Sequence, residues 1–219
     1  MKLKLITLII SIAIATSYAY IGIGVKGGLS LYRVSDNSFD LYNEFRPASD
    51  FSIFCELGSH KFLSHNIMLT YYQAGGKTTN QITDQNGDPT GSDWWIAEKL
   101  DYIGIGYGLN FKMQLLRILP YLSAGVSLDY LVRSKEEMGS DKTVDEIEGI
   151  DYSKLKKFNI RPFLVGGLEY KISRIAILTE YTFSYNVLPF YVEEKTTTFN
   201  ESKYKTFGHF INLGCKLYL

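Results

Sequence analysis

The chain has 219 residues, 46% of them hydrophobic, with 17 Tyr and 13 Phe and a formal net charge of zero. That apolar content excludes a disordered polymer, and the charge balance gives no bulk attraction to nucleic acid. Two cysteines are too few for a small fold stapled by disulfides, and the length fits one domain.

Lys2 and Lys4 precede a short apolar run, residues 5–15, and Ser17-Tyr18-Ala19 offers small residues where a signal peptidase reads. The run is too short to span a membrane as a helix. Residues 1–19 read as a cleaved signal peptide and residues 20–219 as the mature domain.

Alternation begins at once. Ile21, Ile23, Val25, Leu29 and Leu31 interleave with Gly22, Gly24, Lys26, Gly28 and Ser30, a period of two that predicts a strand. A polar stretch, residues 34–49, separates it from a second strand carrying Phe51, Ile53, Cys55 and Leu57. A short connection, residues 59–64, leads to a third strand with Ile67, Leu69 and Tyr71. A long polar loop over residues 75–93 is predicted next, with the turn pair Asn86-Gly87. The fourth strand sets Ile103, Ile105, Tyr107, Leu109 and Phe111 against Gly104, Gly106, Gly108, Asn110 and Lys112. A tight connection, residues 113–117, gives the fifth, which includes Leu122, Val126 and Leu128. A third long loop, residues 134–156, is acidic in its middle. Strands six and seven meet at the turn Ser173-Arg174, a fourth long loop covers residues 188–203, and the eighth strand runs to Leu219. Pro120 and Pro162 predict local irregularity, because proline donates nothing to a ladder.

The connections alternate long and short, as in an all-β, eight-stranded antiparallel up-and-down transmembrane barrel with short periplasmic turns and long outer loops. Glycine on a solvated strand face weakens the strand for no gain, whereas the lumen of a narrow barrel needs small residues. The glycine face therefore reads as inside and the apolar face as outside. Lys26, Lys112, Arg161 and Lys216 share the inner parity with Glu56, Asp129, Glu169 and Glu180. Each cation facing lipid at mid-depth would cost about 2–4 kcal/mol, so these eight residues are predicted to form a charge network in the lumen. Tyr130, Phe158, Tyr185 and Phe207 near the loop ends, and Tyr170 and Phe111 near the turn ends, suit two aromatic girdles.

From residue 20 to its end the chain resembles the small outer-membrane barrels of the OmpA/OmpX type. Its opening GIGVKGGLSL and closing INLGCKLYL are most similar to the porin-family outer membrane β-barrel proteins of Bacteroidota. The resemblance implies residence in the bacterial outer membrane of a Gram-negative envelope, contact with lipid and lipopolysaccharide, and insertion by the barrel-assembly machinery. That machinery would read Ile211, Leu213, Cys215 and Leu217 in phase on the last strand, although the chain ends on Leu219 where many relatives end on Phe.

Other motifs carry little chemistry. Residues 22–27, GIGVKG, match a dinucleotide fingerprint, but no strand precedes them and no helix follows. Asp84, Asn86, Asp88 and Asp93 lack the glycine and glutamate positions of a calcium loop, and the acidic run from Glu136 to Asp151 reads as solvated, with a weak divalent-ion contact at the lipopolysaccharide surface as the alternative. His60, His65 and His209 have no metal-ligand spacing and no serine nucleophile in view. The sequence thus predicts a non-enzymatic protein with no cofactor and no metal. It leaves two alternatives: a soluble lipocalin-like barrel with the parity reversed, and a lipid-A-modifying barrel enzyme.

Overall fold

The computed structural model describes residues 20–35, 44–58, 62–83, 86–140, 143–147, 155–193 and 202–219; residues 1–19, read above as a signal peptide, and His60 lie outside them. Ten strands form among these: β1 (Tyr20–Ser35), β2 (Arg46–Gly58), β3 (Leu63–Thr83), β4 (Pro89–Lys112), β5 (Ile118–Ser140), β6 (Thr143–Ile147), β7 (Phe158–Ile172), β8 (Ile175–Tyr185), β9 (Tyr191–Glu193) and β10 (Ser202–Tyr218). Eight close an antiparallel ring in the order β1-β2-β3-β4-β5-β7-β8-β10. The ring is sealed from Gly22 opposite Tyr218 to Ser35 opposite Lys205. Closure leaves the wall no free edge. β6 adds to β5, and β9 to β10, at the end that bears the long connections.

The side-chain period of two decides what each face meets. Outward stand Leu29, Leu128 and Leu213, each about two-thirds exposed, with their apolar neighbours on the same face also exposed. Inward stand the glycines, hydroxyls and charges. A continuous apolar exterior of this extent has no counterpart on soluble monomers; lipid is the solvent that matches it. Reversed parity, which a lipocalin-like barrel requires, is therefore excluded. Cys55 and Cys215 are free thiols on this outer face.

Four expectations need correction. Residues 75–83 and 89–93 do not form the predicted loop: β3 and β4 continue past the wall as a paired hairpin, Gly75 opposite Lys99 through Gln81 opposite Asp93. Residues 134–140, including Glu136 and Glu137, extend β5 alongside it. Polar Thr, Gln and Asn on both faces hid these strands, because outside the membrane neither face is greasy and alternation vanishes. Residues 46–49, read as part of the polar stretch, likewise belong to β2.

Nor do the prolines break the ladder between β5 and β7, which runs unshifted from Ile118 to Tyr130. Pro162 lies just beyond Phe163, where the pairing of β7 with β8 ends, so its missing N–H disrupts no bond on that side. The register shifts fall instead at Asp101/Tyr102 and Gln81/Thr83.

Candidate functional site: the barrel lumen

From the short-turn end upward, the interior is stacked in layers. Tyr20 and Tyr218 meet edge to face at 5.1 Å over Ala176. Above them Glu56, Glu169, Lys112 and Lys216 form a square of two acids and two bases drawn from β2, β7, β4 and β10. Lys216 Nζ donates to Glu56 at 2.7 Å and to Glu169 at 2.6 Å. Lys112 donates to Glu169 at 3.1 Å and pairs with Glu56. The hydroxyls of Tyr20 and Ser64 also donate to Glu56.

An apolar belt of Phe54, Met68, Tyr121, Phe163, Val165 and Leu178 follows. Next, Lys26 pairs with Glu180 at 2.5 Å, and Tyr121 donates its hydroxyl to the same carboxylate. Arg161 Nε donates to Asp129 at 2.8 Å, and Asp129 also accepts from Tyr72 at 2.8 Å and Ser127 at 2.5 Å.

The guanidinium of Arg161 lies 4.1 Å from the ring of Tyr72, a cation–π contact that joins the charges to an aromatic layer. Tyr32, Tyr72 and Tyr102 stack in series at 5.7 and 5.2 Å, and Phe210 abuts Tyr32 edge to face at 5.2 Å.

Glycine makes room for this filling. A Cβ on Gly104 would sit 1.9 Å from Asp129 Oδ1, and one on Gly208 would meet the Tyr32 ring at 2.7 Å. Two internal cavities measure about 20 Å³, between Lys26, Asp50 and Arg161, and about 10 Å³, between Asn66, Asn110 and Lys112. Each holds about one water at most.

The structure thus brings all eight residues of the anticipated network together in the lumen, in two separate layers. Sequence reasoning missed Tyr20, Tyr72, Tyr102 and Tyr121. Their signal was legible: they share the glycine parity, where a bulky aromatic is out of place unless it fills a bore. It also missed Arg46, which lay in the polar stretch over residues 34–49, and Asp50 and Glu98, which lay outside every predicted strand. Glu98, in the β3–β4 extension, is fully buried; Ser134 donates to one oxygen at 2.7 Å, and the other has no partner. Burial raises its carboxyl pKa to about 7, the nearby Glu136 adds to the rise, and the Ser134 bond opposes it.

His65 and His209 face outward. His65 Nδ1 lies 2.7 Å from the Tyr107 hydroxyl, and His209 Nδ1 lies 2.6 Å from that of Tyr181. Each pair is a cross-strand diagonal that shares its polar atoms on the lipid-facing wall. Among the described residues no three His, Cys, Asp or Glu side chains are grouped to hold a metal.

An apolar, edgeless wall around a polar, filled bore defines a transmembrane β-barrel. A family model described as "Outer membrane protein beta-barrel domain" matches residues 15–192. The chain belongs to that family, and its place is the bacterial outer membrane, in contact with lipid and lipopolysaccharide. No curated protein matches it.

Among solved structures it is similar to Neisserial surface protein A, at 13% identity and a TM-score of 0.47, covering 89% of this chain and 96% of that one. Ail, the attachment invasion locus protein of Yersinia pestis, shows 10% identity and a TM-score of 0.40 over 91% of this chain and 100% of that one. The outer membrane protein OprG from Pseudomonas aeruginosa shows 8% identity and a TM-score of 0.42 over 92% and 98%.

Proposed function

We propose that this protein is a closed, non-enzymatic barrel: a structural wall element that presents surface-interaction strands and loops, with its lumen plugged by its own side chains. Residues 1–19 are the export signal, residues 20–219 the exported barrel, and the long connections face the outside. The assembly machinery reads the final strand. The observation that carries the closed-bore reading is the pairing of Lys26, Lys112, Arg161 and Lys216 with Glu56, Asp129, Glu169 and Glu180 across the lumen. Eight strands enclose a space that side chains can fill, whereas wide aqueous channels need about 16–18. Absence of catalysis is supported by His65 and His209, which are bonded to tyrosines on the outer wall rather than to a serine.

Planar-bilayer recording tests the plug. Purified wild-type protein should give no steady, large unitary openings. Arg161→Ala or Glu180→Ala should raise the frequency of small ones. Large, stable wild-type openings would sink the closed-bore reading.

A further inference from the structure

The lipid-facing wall is not evenly filled. On β3 and β4 its outward positions carry Ile67, Leu69, Ile105 and Tyr107 without a gap. On β5, β7 and β8 an open groove of about 510 Å³ runs between Leu122, Leu168, Thr179 and Tyr181, with Gly166 among them. It continues past Gly166 toward Ala124 and Leu164 as a second groove of about 450 Å³. Packing does not require this glycine: a Cβ on Gly166 would meet nothing nearer than Leu122 Cδ2 at 3.9 Å. Its backbone also lies outside the left-handed region, so neither crowding nor strain accounts for the gap.

Basic residues gather at the foot of the same strands. Arg117 ends the β4–β5 turn, Arg174 lies in the β7–β8 turn, and both are exposed. Lys171 N donates to Arg117 O at 2.9 Å and Tyr218 N to Arg174 O at 2.7 Å, so the two turns flank the end of β7. No Asp or Glu occurs in residues 113–119 or 170–177, and Glu169 is held in the lumen by Lys112 and Lys216. Among the described residues neither arginine is ion-paired, to a side chain or to the carboxylate of Leu219.

We infer that this sector of the wall holds an anionic phospholipid of the periplasmic leaflet, with its phosphate on Arg117 and Arg174 and one acyl chain in the groove. The groove opens on a wall whose solvent is lipid, so an acyl chain is the material at hand to fill it. The arginines stand at headgroup height: Leu116 beside Arg117 is 94% exposed and Ile172 near Arg174 is 50% exposed, apolar side chains that set both turns at the interface rather than in free water. Lengths agree as well. From Lys171, level with Arg117, to Gly166 is five residues of strand, about 16 Å, close to half of a hydrocarbon core about 30 Å thick. The two arginines are about two strand spacings apart, roughly 10 Å, a gap that their long side chains close on one phosphate, the two forks sharing its oxygens. With no acid in either turn to offset them, a headgroup that carries its own ammonium gains less here than one without.

The leaflet rests on the reading that the short turns face the periplasm, and the two fail separately. Gln114→Cys should react with a membrane-impermeant maleimide only after the outer membrane is opened. Reaction on intact cells would overturn the orientation and, with it, the leaflet. The site itself is read by native mass spectrometry of the folded full chain in detergent, titrated with phosphatidylglycerol and with phosphatidylcholine of the same acyl chains. Wild type should prefer phosphatidylglycerol. The double variant Arg117→Gln/Arg174→Gln should weaken that binding about tenfold, the scale of a lost charge-assisted hydrogen bond, and remove the preference. Gly166→Leu should weaken both lipids about fourfold, the scale of one buried methylene, and keep the preference. Lys77→Gln/Lys99→Gln, in the hairpin at the opposite end of the barrel, should change binding less than about twofold. Equal binding of the two lipids by wild type, no loss in the arginine variant, or no loss in Gly166→Leu would overturn the site. So would a wild-type dimer that Gly166→Leu abolishes, which would give the groove to a second copy of the chain.

Discussion

The lumen and the hairpin above it bury carboxylates in opposite ways. Inside the wall, Glu56, Asp129, Glu169 and Glu180 each meet a lysine or arginine. In the β3–β4 extension, Glu98 is equally inaccessible but has one serine hydroxyl and, among the described residues, no base in ion-pair contact, the charge of Arg46 acting on it only weakly. The difference follows from what each region can exchange with. A lumen carboxylate is sealed from water by the wall and by the layers above and below, so its charge must be matched within reach. Glu98 stands beyond the membrane, where it can take up a proton instead.

The sharpest way to break that comparison is to unmatch a lumen pair. Arg161→Ala removes the base of Asp129 and the cation against Tyr72 at once, and should cost about 3–5 kcal/mol. Urea unfolding of the protein in lipid vesicles measures it; a loss below about 1 kcal/mol would mean that water reaches Asp129. Lys216→Met is expected to cost less, about 1–3 kcal/mol, because Lys112 still serves both Glu56 and Glu169. The same unfolding assay should rank it below Arg161→Ala, and a reversed order would show that the square does not share its charge.

The smallest effect concerns Glu98 and stays local. Its folded-state pKa, about 7, lies above the ordinary value of 4.5, so the stabilisation is fully present below pH 4.5 and is lost as pH rises through 7. Amide protection in residues 75–83 and 89–101, corrected for intrinsic exchange, should fall by up to about tenfold per pH unit across that window. Glu98→Gln should flatten the slope while leaving the barrel's protection unchanged. An unchanged slope would assign the titration elsewhere.

What was legible in the sequence reflects one rule. The side-chain period of a strand is two whatever its partners are, so parity alone sorted Lys26, Glu56, Arg161 and Glu180 to one side and Ile105, Leu128 and Leu213 to the other. The cost of a cation in lipid then said which side is inside. The same rule failed above the membrane. There Thr78, Thr79, Asn80 and Gln81 form a strand only because β4 lies beside them to take their backbone hydrogen bonds.

Sequence by itself therefore determined the barrel, its strand faces and the set of lumen charges, since each depends only on local alternation and the solvent each face must match. Tertiary structure decided which acid meets which base. Lys216 and Glu56 are 160 residues apart, and their meeting depends on ring closure and the stagger of eight registers, to which no local pattern refers. It also decided the division of the charges into two layers and the stacking of Tyr32, Tyr72 and Tyr102 above them, because the depth of a side chain along the bore is set by how far each strand has slid past its neighbour.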